Sequence, residues 1–444
     1  MRKFLEKPIH AIWISVFLIV IRILIDVCYE YIINPYFEYS GFLNEKSNTT
    51  CIVSWCIFVC SLIFISCLSK EAGKPSTIVV LFLYFFSFLP FTTCVKYGLF
   101  EWKYIVWATV FWYCLFMLAI MNSYIKINSF PKLTIDGIAC ERFMVTFIAV
   151  VSCFITLYIS FRYTGLRIHW NLLTVYDLRS EAANYNMSRT VNYLFAWSRA
   201  INPFMMAYCF IRKKKIYTVI FAFCALLNFG FDGSKTALFF PVLFICVAFL
   251  YMKIAKANIL KMLIIMFLCV GIMSLLEYIF NNSIYICSYM IRRVMMVENL
   301  NSSFYYDFFQ KNTPDYFRGS FLRILGLHSP YSGLSKIIGE QYWRTEPSAN
   351  CGLIADAITN FGVGGVIGYP ILFTIIMRIY DKVAYNVDTA LLVCTGLYIS
   401  IRLVNTFMLT SLLTHGIVVL FVLLYCVSKE DSDQNKMFCK EFSI

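Results

Sequence analysis

The sequence predicts an all-α fold, a polytopic transmembrane helical bundle of about twelve spans with two long loops on one face. Three observations carry this. Of 444 residues, 60% are hydrophobic and 14% charged, against roughly 45–50% and 25% in soluble domains. The apolar residues come in blocks rather than stripes, and many blocks reach the ~20 residues that a helix needs to cross a ~30 Å hydrocarbon core. Strict polar/apolar alternation is absent, which excludes an outer-membrane barrel. Backbone groups in lipid must be satisfied within the chain, so the blocks are helices.

Taken in order, the expected spans are 9–28, 51–69, 76–94, 104–122, 143–161, 191–211, 216–231, 237–252, 260–281, 363–380, 389–406 and 408–427. The basic start of the chain (Arg2, Lys3, Lys7) resembles a signal peptide, but the apolar run that follows is too long and lacks a small-residue cleavage site. It reads as an uncleaved first span. The whole chain, 1–444, reads as a single integral membrane domain.

Charge sets the expected orientation. Alternate connections carry twenty of the 38 basic residues, among them the run Arg212, Lys213, Lys214 and Lys215. By the positive-inside rule these connections and both termini are cytoplasmic. Two long connections, 162–190 and 282–362, then lie on the outer face. Long loops in compact proteins are usually functional. Their short apolar runs suggest amphipathic helices at the membrane surface.

The basic residues are sorted by type as well as by side. The cytoplasmic set is sixteen lysines and four arginines. Positions 162–199 and 282–350 hold Arg162, Arg167, Arg179, Arg189, Arg199, Arg292, Arg293, Arg318, Arg323 and Arg344, against only Lys311 and Lys336. Charge alone needs no such choice. Arginine adds a planar fork that grips phosphate or carboxylate through two parallel bonds. The cluster points to an anion site, most simply for a lipid-linked diphosphate. The alternative is ordinary pairing with Asp177, Glu181, Glu298, Asp307, Asp315, Glu340 and Glu346.

Inside the spans, Arg22 and Asp26 stand one turn apart on one helix face and are expected to neutralise each other. Asp232 and Lys235 mark the junction of two spans, and Glu277, Arg402 and His415 lie near span ends. The 18 cysteines sit mostly in apolar blocks without CxxC or zinc spacing, so they read as small buried hydrophobes. No GxxxxGK[ST] loop and no HExxH occurs, which counts against nucleotide-driven transport and zinc proteolysis. No metal, cofactor or nucleic-acid partner is expected. The lipid bilayer is.

The segment EPSANCGLIADAITNFGVGGVIGYPIL at 346–372 resembles the stretch closing the large periplasmic loop of bacterial O-antigen and capsule repeat-unit polymerases (Wzy-type). That family tends towards S-A-N-T-G-x-I-x-D-A-x-x-N-F-G. Ser348, Ala349, Asn350, Gly352, Ile354, Asp356, Ala357, Asn360, Phe361 and Gly362 fit, while Cys351 replaces a common threonine. VYDLRSEA at 175–182 places Arg179 at the arginine of the family's first large loop. DGSKTALFFP at 232–241 is similar to the family's Gly-x-Arg/Lys-Ser/Thr-Ala, with Lys235 at the basic position.

The resemblance implies a glycosyltransferase C-like fold in the bacterial inner membrane, with its site facing the periplasm. It implies transfer of a glycan from undecaprenyl diphosphate to a second undecaprenyl-diphosphate-linked repeat unit, with inversion and without a metal. A chain-length regulator is a further implied partner. In this scheme His328 is the first candidate for the base, with Glu346 and His169 next, and Arg179 supports the chemistry. Arg162, Arg167, Arg292, Arg293, Arg318, Arg323, Arg344, Lys235, Asn350 and Asp356 are the expected substrate-binding residues. An O-antigen ligase shares the donor and would share the arginines. A flippase for the same lipid would line a central cavity with charge from many spans, whereas here charge gathers in two loops.

Overall fold

The structure, a computed structural model of the chain, describes residues 2–131, 134–135, 138–139, 141–169, 175–255, 258–320, 322, 325–343 and 348–427. Among them, nine helices are long and apolar enough to cross a membrane: Ile12–Ser40, Asn48–Glu71, Pro75–Lys96, Trp102–Tyr124, Phe143–Thr164, Lys215–Asp232, Lys235–Ile254, Ile259–Asn281 and Leu353–Val383. The protein is a multi-pass membrane protein. A minimal antiparallel ladder, Thr134–Ile135 on Ile138–Ala139, is the β-structure among the described residues.

Nine of the expected spans correspond to these helices, and three differ. The segment expected at 191–211 is a helix, Arg189–Ile211, started by Ser188, whose side chain accepts from the Val191 N–H. It falls outside the nine because Arg199 and Asn202 interrupt its apolar run. Thr389–Asn405 is apolar but only 17 residues long. The segment expected at 408–427 breaks at 414–416 into Met408–Leu413 and Ile417–Val427. Gly416 turns the chain there with φ +74°, and a Cβ on it would stand 3.2 Å from Ala200. The carbonyls freed by the break find donors: Trp197 gives its indole N–H to Leu413 (2.7 Å) and Tyr398 its hydroxyl to His415 (2.7 Å). Irregular backbone in an apolar setting survives only with such partners.

The chain forms two compact units. The first takes the residues up to Ile125, Ile259–Met377 and Ser400–Leu409; the second takes Lys126–Asn258, Arg378–Ile399 and the chain from Thr410.

In the first unit, Pro75–Lys96 is the central helix. It is mostly apolar, and every residue from Pro75 to Val95 is buried, its few hydroxyl side chains included. Its middle turn, Tyr84–Phe88, is widened to π geometry just before Pro90. That widening relieves the clash between the proline ring and the carbonyl four residues back. Arg22 enters this core fully buried. It donates to Thr93 Oγ1 (2.6 Å), Ser54 Oγ (2.7 Å) and Thr92 O (2.8 Å), and pairs with Asp26, whose second oxygen faces Lys96 Nζ at 3.0 Å.

Residues 282–362 depart most from expectation. Two of their helices are interior rather than resting on the unit's surface. Val297–Lys311 buries Glu298 through Ser302, and Leu353–Phe361 is buried from Leu353 to Asn360. Their polar residues pair inside the unit. Glu298, 3% exposed, accepts from Ser87 Oγ (2.8 Å) on the central helix and from Ser302 Oγ (3.2 Å).

In the second unit, Glu141–Thr164, Arg189–Ile211, Lys215–Asp232 and Lys235–Phe249 pack together. Asn202, fully buried before the in-helix Pro203, bridges Ser152 (2.7 Å) and Thr156 (3.0 Å) of the neighbouring helix. The proline removes a backbone donor, and the amide network stitches the helix at that point.

Burial pushes the Glu298 carboxyl up to about 7. The unfolded carboxyl titrates near ~4.3. The folded state therefore holds the proton over a wider range, and this group's stabilisation is complete below ~4.3 and is lost as pH rises through about 7. Glu298→Gln, which never ionises, is expected to flatten the fall in thermal midpoint between pH 5 and 8 of the protein in detergent, an effect of about 3 kcal/mol at the alkaline end. An unchanged pH slope in the variant would count against the buried acid.

Candidate functional site

The sequence candidates fall in both units. Arg162, Arg167, Arg179 and Lys235 belong to the second. There the start of the 162–190 loop is laid directly on the end of helix Lys215–Asp232. A Cβ on Gly230 would stand 2.2 Å from Arg167 O, so only glycine admits the loop backbone at this point. Arg167 Nη2 pairs with Glu181 at 2.9 Å and reaches Gly230 O at 3.4 Å. Tyr185 donates to Glu181 at 2.6 Å. The Tyr185 hydroxyl, then the Arg167 guanidinium, hold the Glu181 carboxyl below its usual range.

Two residues along the same helix, Asp232 pairs with Arg199 at 2.8 Å and accepts from the Ser234 N–H at 2.9 Å. The turn itself needs Gly233, at φ +61°. Arg199 lies over the Phe195 ring, 4.4 Å from its centroid. The Nε groups of Arg167 and Arg199 are out of solvent without a hydrogen-bond partner among the described residues. A buried donor without an acceptor is costly, and each is a donor that an anion oxygen or a water would satisfy. Arg162 and Arg179 are exposed, and Lys235 is half-buried at the start of the next helix. His169 is half-buried with its ring 6.2 Å from that of Phe229.

The first unit holds Arg292, Arg293, Arg318, His328, Asn350 and Asp356. Arg292 sits over the Phe37 ring at 3.9 Å and donates to Ser288 Oγ at 3.3 Å; its Nε too is buried without a partner. Burial, with Arg293 adding repulsion, draws the Arg292 guanidinium below its usual value. Arg293 is exposed. Arg318 folds back on its own loop, donating to Asp315 O (2.8 Å) and Pro314 O (3.0 Å). His328 is exposed and has no hydrogen-bond or ionic partner among the described residues. Arg323, Arg344 and Glu346 lie outside the described residues.

The 348–362 motif is built as a brace. Asp356, 2% exposed, accepts from Tyr369 Oη (2.5 Å), Asn360 Nδ2 (2.6 Å) and the Met408 N–H (2.7 Å). Asn360 passes the bracing on, accepting the Phe317 N–H at 2.7 Å. A Cβ on Gly352 would stand 1.9 Å from Leu403 O, and Gly362 takes φ +57°. Asp356 is therefore turned inward on protein partners and positions the 315–320 loop. Asn350 has an exposed side chain, and its carbonyl accepts from Asn301 Nδ2 at 2.9 Å.

Glu298, read in the sequence only as an ion-pair partner for arginine, instead heads a hydroxyl-and-thiol network with Ser87, Ser302 and Cys351. Nothing local signals it, because Ser87 lies 211 residues away. Arg199 was legible as one of the outer arginines, but its place in an apolar helix with Pro203 hid its pairing with Asp232.

No protein-family model, no curated protein and no solved structure matches this chain.

Gly230→Ala is expected to push the 165–169 segment off the helix end, because the obstructing atom is backbone. Limited trypsin digestion of the purified variant should cut faster at Arg167 and Arg179. Gly73→Ala, with nothing within 4 Å of its Cβ, should digest as the parent does. Equal digestion of all three proteins would overturn the close approach.

Proposed function

We propose that this protein is a repeat-unit polymerase, a metal-independent inverting glycosyltransferase acting at the outer face of the cytoplasmic membrane on undecaprenyl-diphosphate-linked oligosaccharides. The product is an O-antigen or capsular polysaccharide, and a chain-length regulator is the expected protein partner. One observation carries the reading beyond sequence resemblance. Arg167 and Arg199 are anchored by carboxylates while each keeps an Nε donor without a partner among the described residues. Exposed Arg162 and Arg179 in the same unit add charge from the same loop region.

The reaction asks for this chemistry. The acceptor hydroxyl oxygen bonds to the donor's anomeric carbon as the bond from that carbon to the diphosphate oxygen breaks. The electron pair leaves with undecaprenyl diphosphate, and the hydroxyl proton passes to a base. Positioned guanidinium donors stabilise the charge growing on the diphosphate. His328, exposed and without a hydrogen-bond or ionic partner among the described residues, is the proposed base. Asp356 and Asn360 act as positioning residues through the 315–320 loop.

Purified protein incubated with a synthetic lipid-linked repeat unit and chelator is expected to produce a ladder of lengthening glycans. A single addition to a lipid A-core acceptor would mean a ligase, and movement across vesicles without extension a flippase; either outcome sinks the polymerase reading. Arg179→Ala and Arg292→Ala should abolish the ladder while leaving protein in the membrane. Arg179→Lys should fail as well, since lysine keeps the charge and loses the fork. His328→Ala should slow extension by ~10²–10⁴ while still binding the lipid-linked glycan. Near-normal rates from folded His328→Ala and His328→Gln would place the base elsewhere.

A further inference from the structure

The first unit carries a shallow, open groove of about 530 Å³ along helix Trp102–Tyr124. Trp102, Val106 and Val110 form one wall at four-residue spacing and are 48%, 62% and 42% exposed. Trp107 and Tyr306 form the floor, their ring centroids 5.7 Å apart. The Trp107 indole N–H is already engaged by Val363 O at 3.0 Å. The wall is thus ring-faced and aliphatic, and suits a hydrocarbon chain better than a sugar.

Its mouth is different. Lys103 lines the groove, and Glu101 immediately precedes the helix. Both are exposed, and neither has an ionic partner among the described residues. Glu101 stands at the N-cap position, yet its side chain makes no capping bond. It lies close enough to matter electrostatically: burial pushes the Tyr306 phenol up, and the Glu101 carboxylate adds to that rise. Trp102 sits between the two charges, where an amphipathic ring marks the headgroup level of a bilayer.

We propose that this groove is a binding site for a zwitterionic phospholipid of the phosphoethanolamine class. One acyl chain lies along Val106 and Val110 over Trp107 and Tyr306. The phosphate meets Lys103, and the headgroup ammonium meets Glu101. The pair of opposite, unpartnered charges selects this occupant. A purely anionic headgroup, or a polyisoprenyl diphosphate, would satisfy Lys103 and be repelled by Glu101. The site stands apart from the glycan-transfer reading and does not depend on it.

The test is native mass spectrometry of the delipidated protein in detergent, titrated with phosphatidylethanolamine, phosphatidylglycerol or a polyisoprenyl phosphate. Phosphatidylethanolamine should bind tightest and raise the thermal midpoint. Lys103→Gln should weaken it about tenfold, as loss of one charge-assisted bond would. Glu101→Gln should erase the preference over phosphatidylglycerol. Val106→Trp, which fills the groove, should abolish binding, with Val110→Trp as the second filling variant if the first does not fold. The inference is overturned if phosphatidylglycerol or the polyisoprenyl phosphate binds as well as phosphatidylethanolamine. It is equally overturned if a folded groove-filling variant binds like the parent.

Discussion

The constraint on which this structure rests is the burial of charge among apolar helices. Arg22 has no exposed surface. A lone guanidinium there would be prohibitive, and removing one partner of a buried pair typically costs ~3–5 kcal/mol. The unit meets that cost by convergence: Asp26 on the same helix, Ser54 on the next, and Thr92 and Thr93 on the central helix all accept from it or face it. Lys96 then balances Asp26. Three helices are held in one register by a single side chain, and the apolar packing follows that register.

The same logic recurs wherever the chain leaves regular geometry. The π turn before Pro90, the Asn202 bridge beside Pro203 and the broken helix at 414–416 each free a backbone group or strain a turn. At the break, Trp197 and Tyr398 meet the freed carbonyls, and beside Pro203 the Asn202 amide ties its helix to Ser152 and Thr156. The 348–362 segment is the largest case. Asp356 gathers a phenol, an amide and a backbone N–H, while Gly352 and Gly362 allow contacts and a turn that a side chain would block. A motif that resembles a functional signature is, residue by residue, a brace. Its link to chemistry runs through the loops it holds.

The arginines divide by what restrains them. Arg318 turns its donors to its own loop. Arg167, Arg199 and Arg292 are held by a carboxylate, a ring or a hydroxyl, and each retains one buried donor without a partner. An unpartnered Nε does not by itself separate these arginines from structural ones, because fully buried Arg22 has one as well.

By itself, the sequence determined the class. Long apolar blocks in a chain that is 14% charged leave no soluble fold available, and nine of the expected spans stand where the blocks are. The pairing of Arg22 with Asp26 was legible because it is local, one turn of one helix. Tertiary structure decided what joins distant segments. Glu298 and Ser87 are 211 residues apart, so residues 297–311 looked like surface loop and became interior. The break at 414–416 depends on Trp197 and Tyr398, which supply donors from other helices. The inward turn of Asp356 depends on Met408. Periodicity and apolarity are local properties, so they report which segments are helices. Burial of a polar group depends on partners that only folding brings within ~3 Å, so the division between bracing residues and available ones belongs to the folded chain.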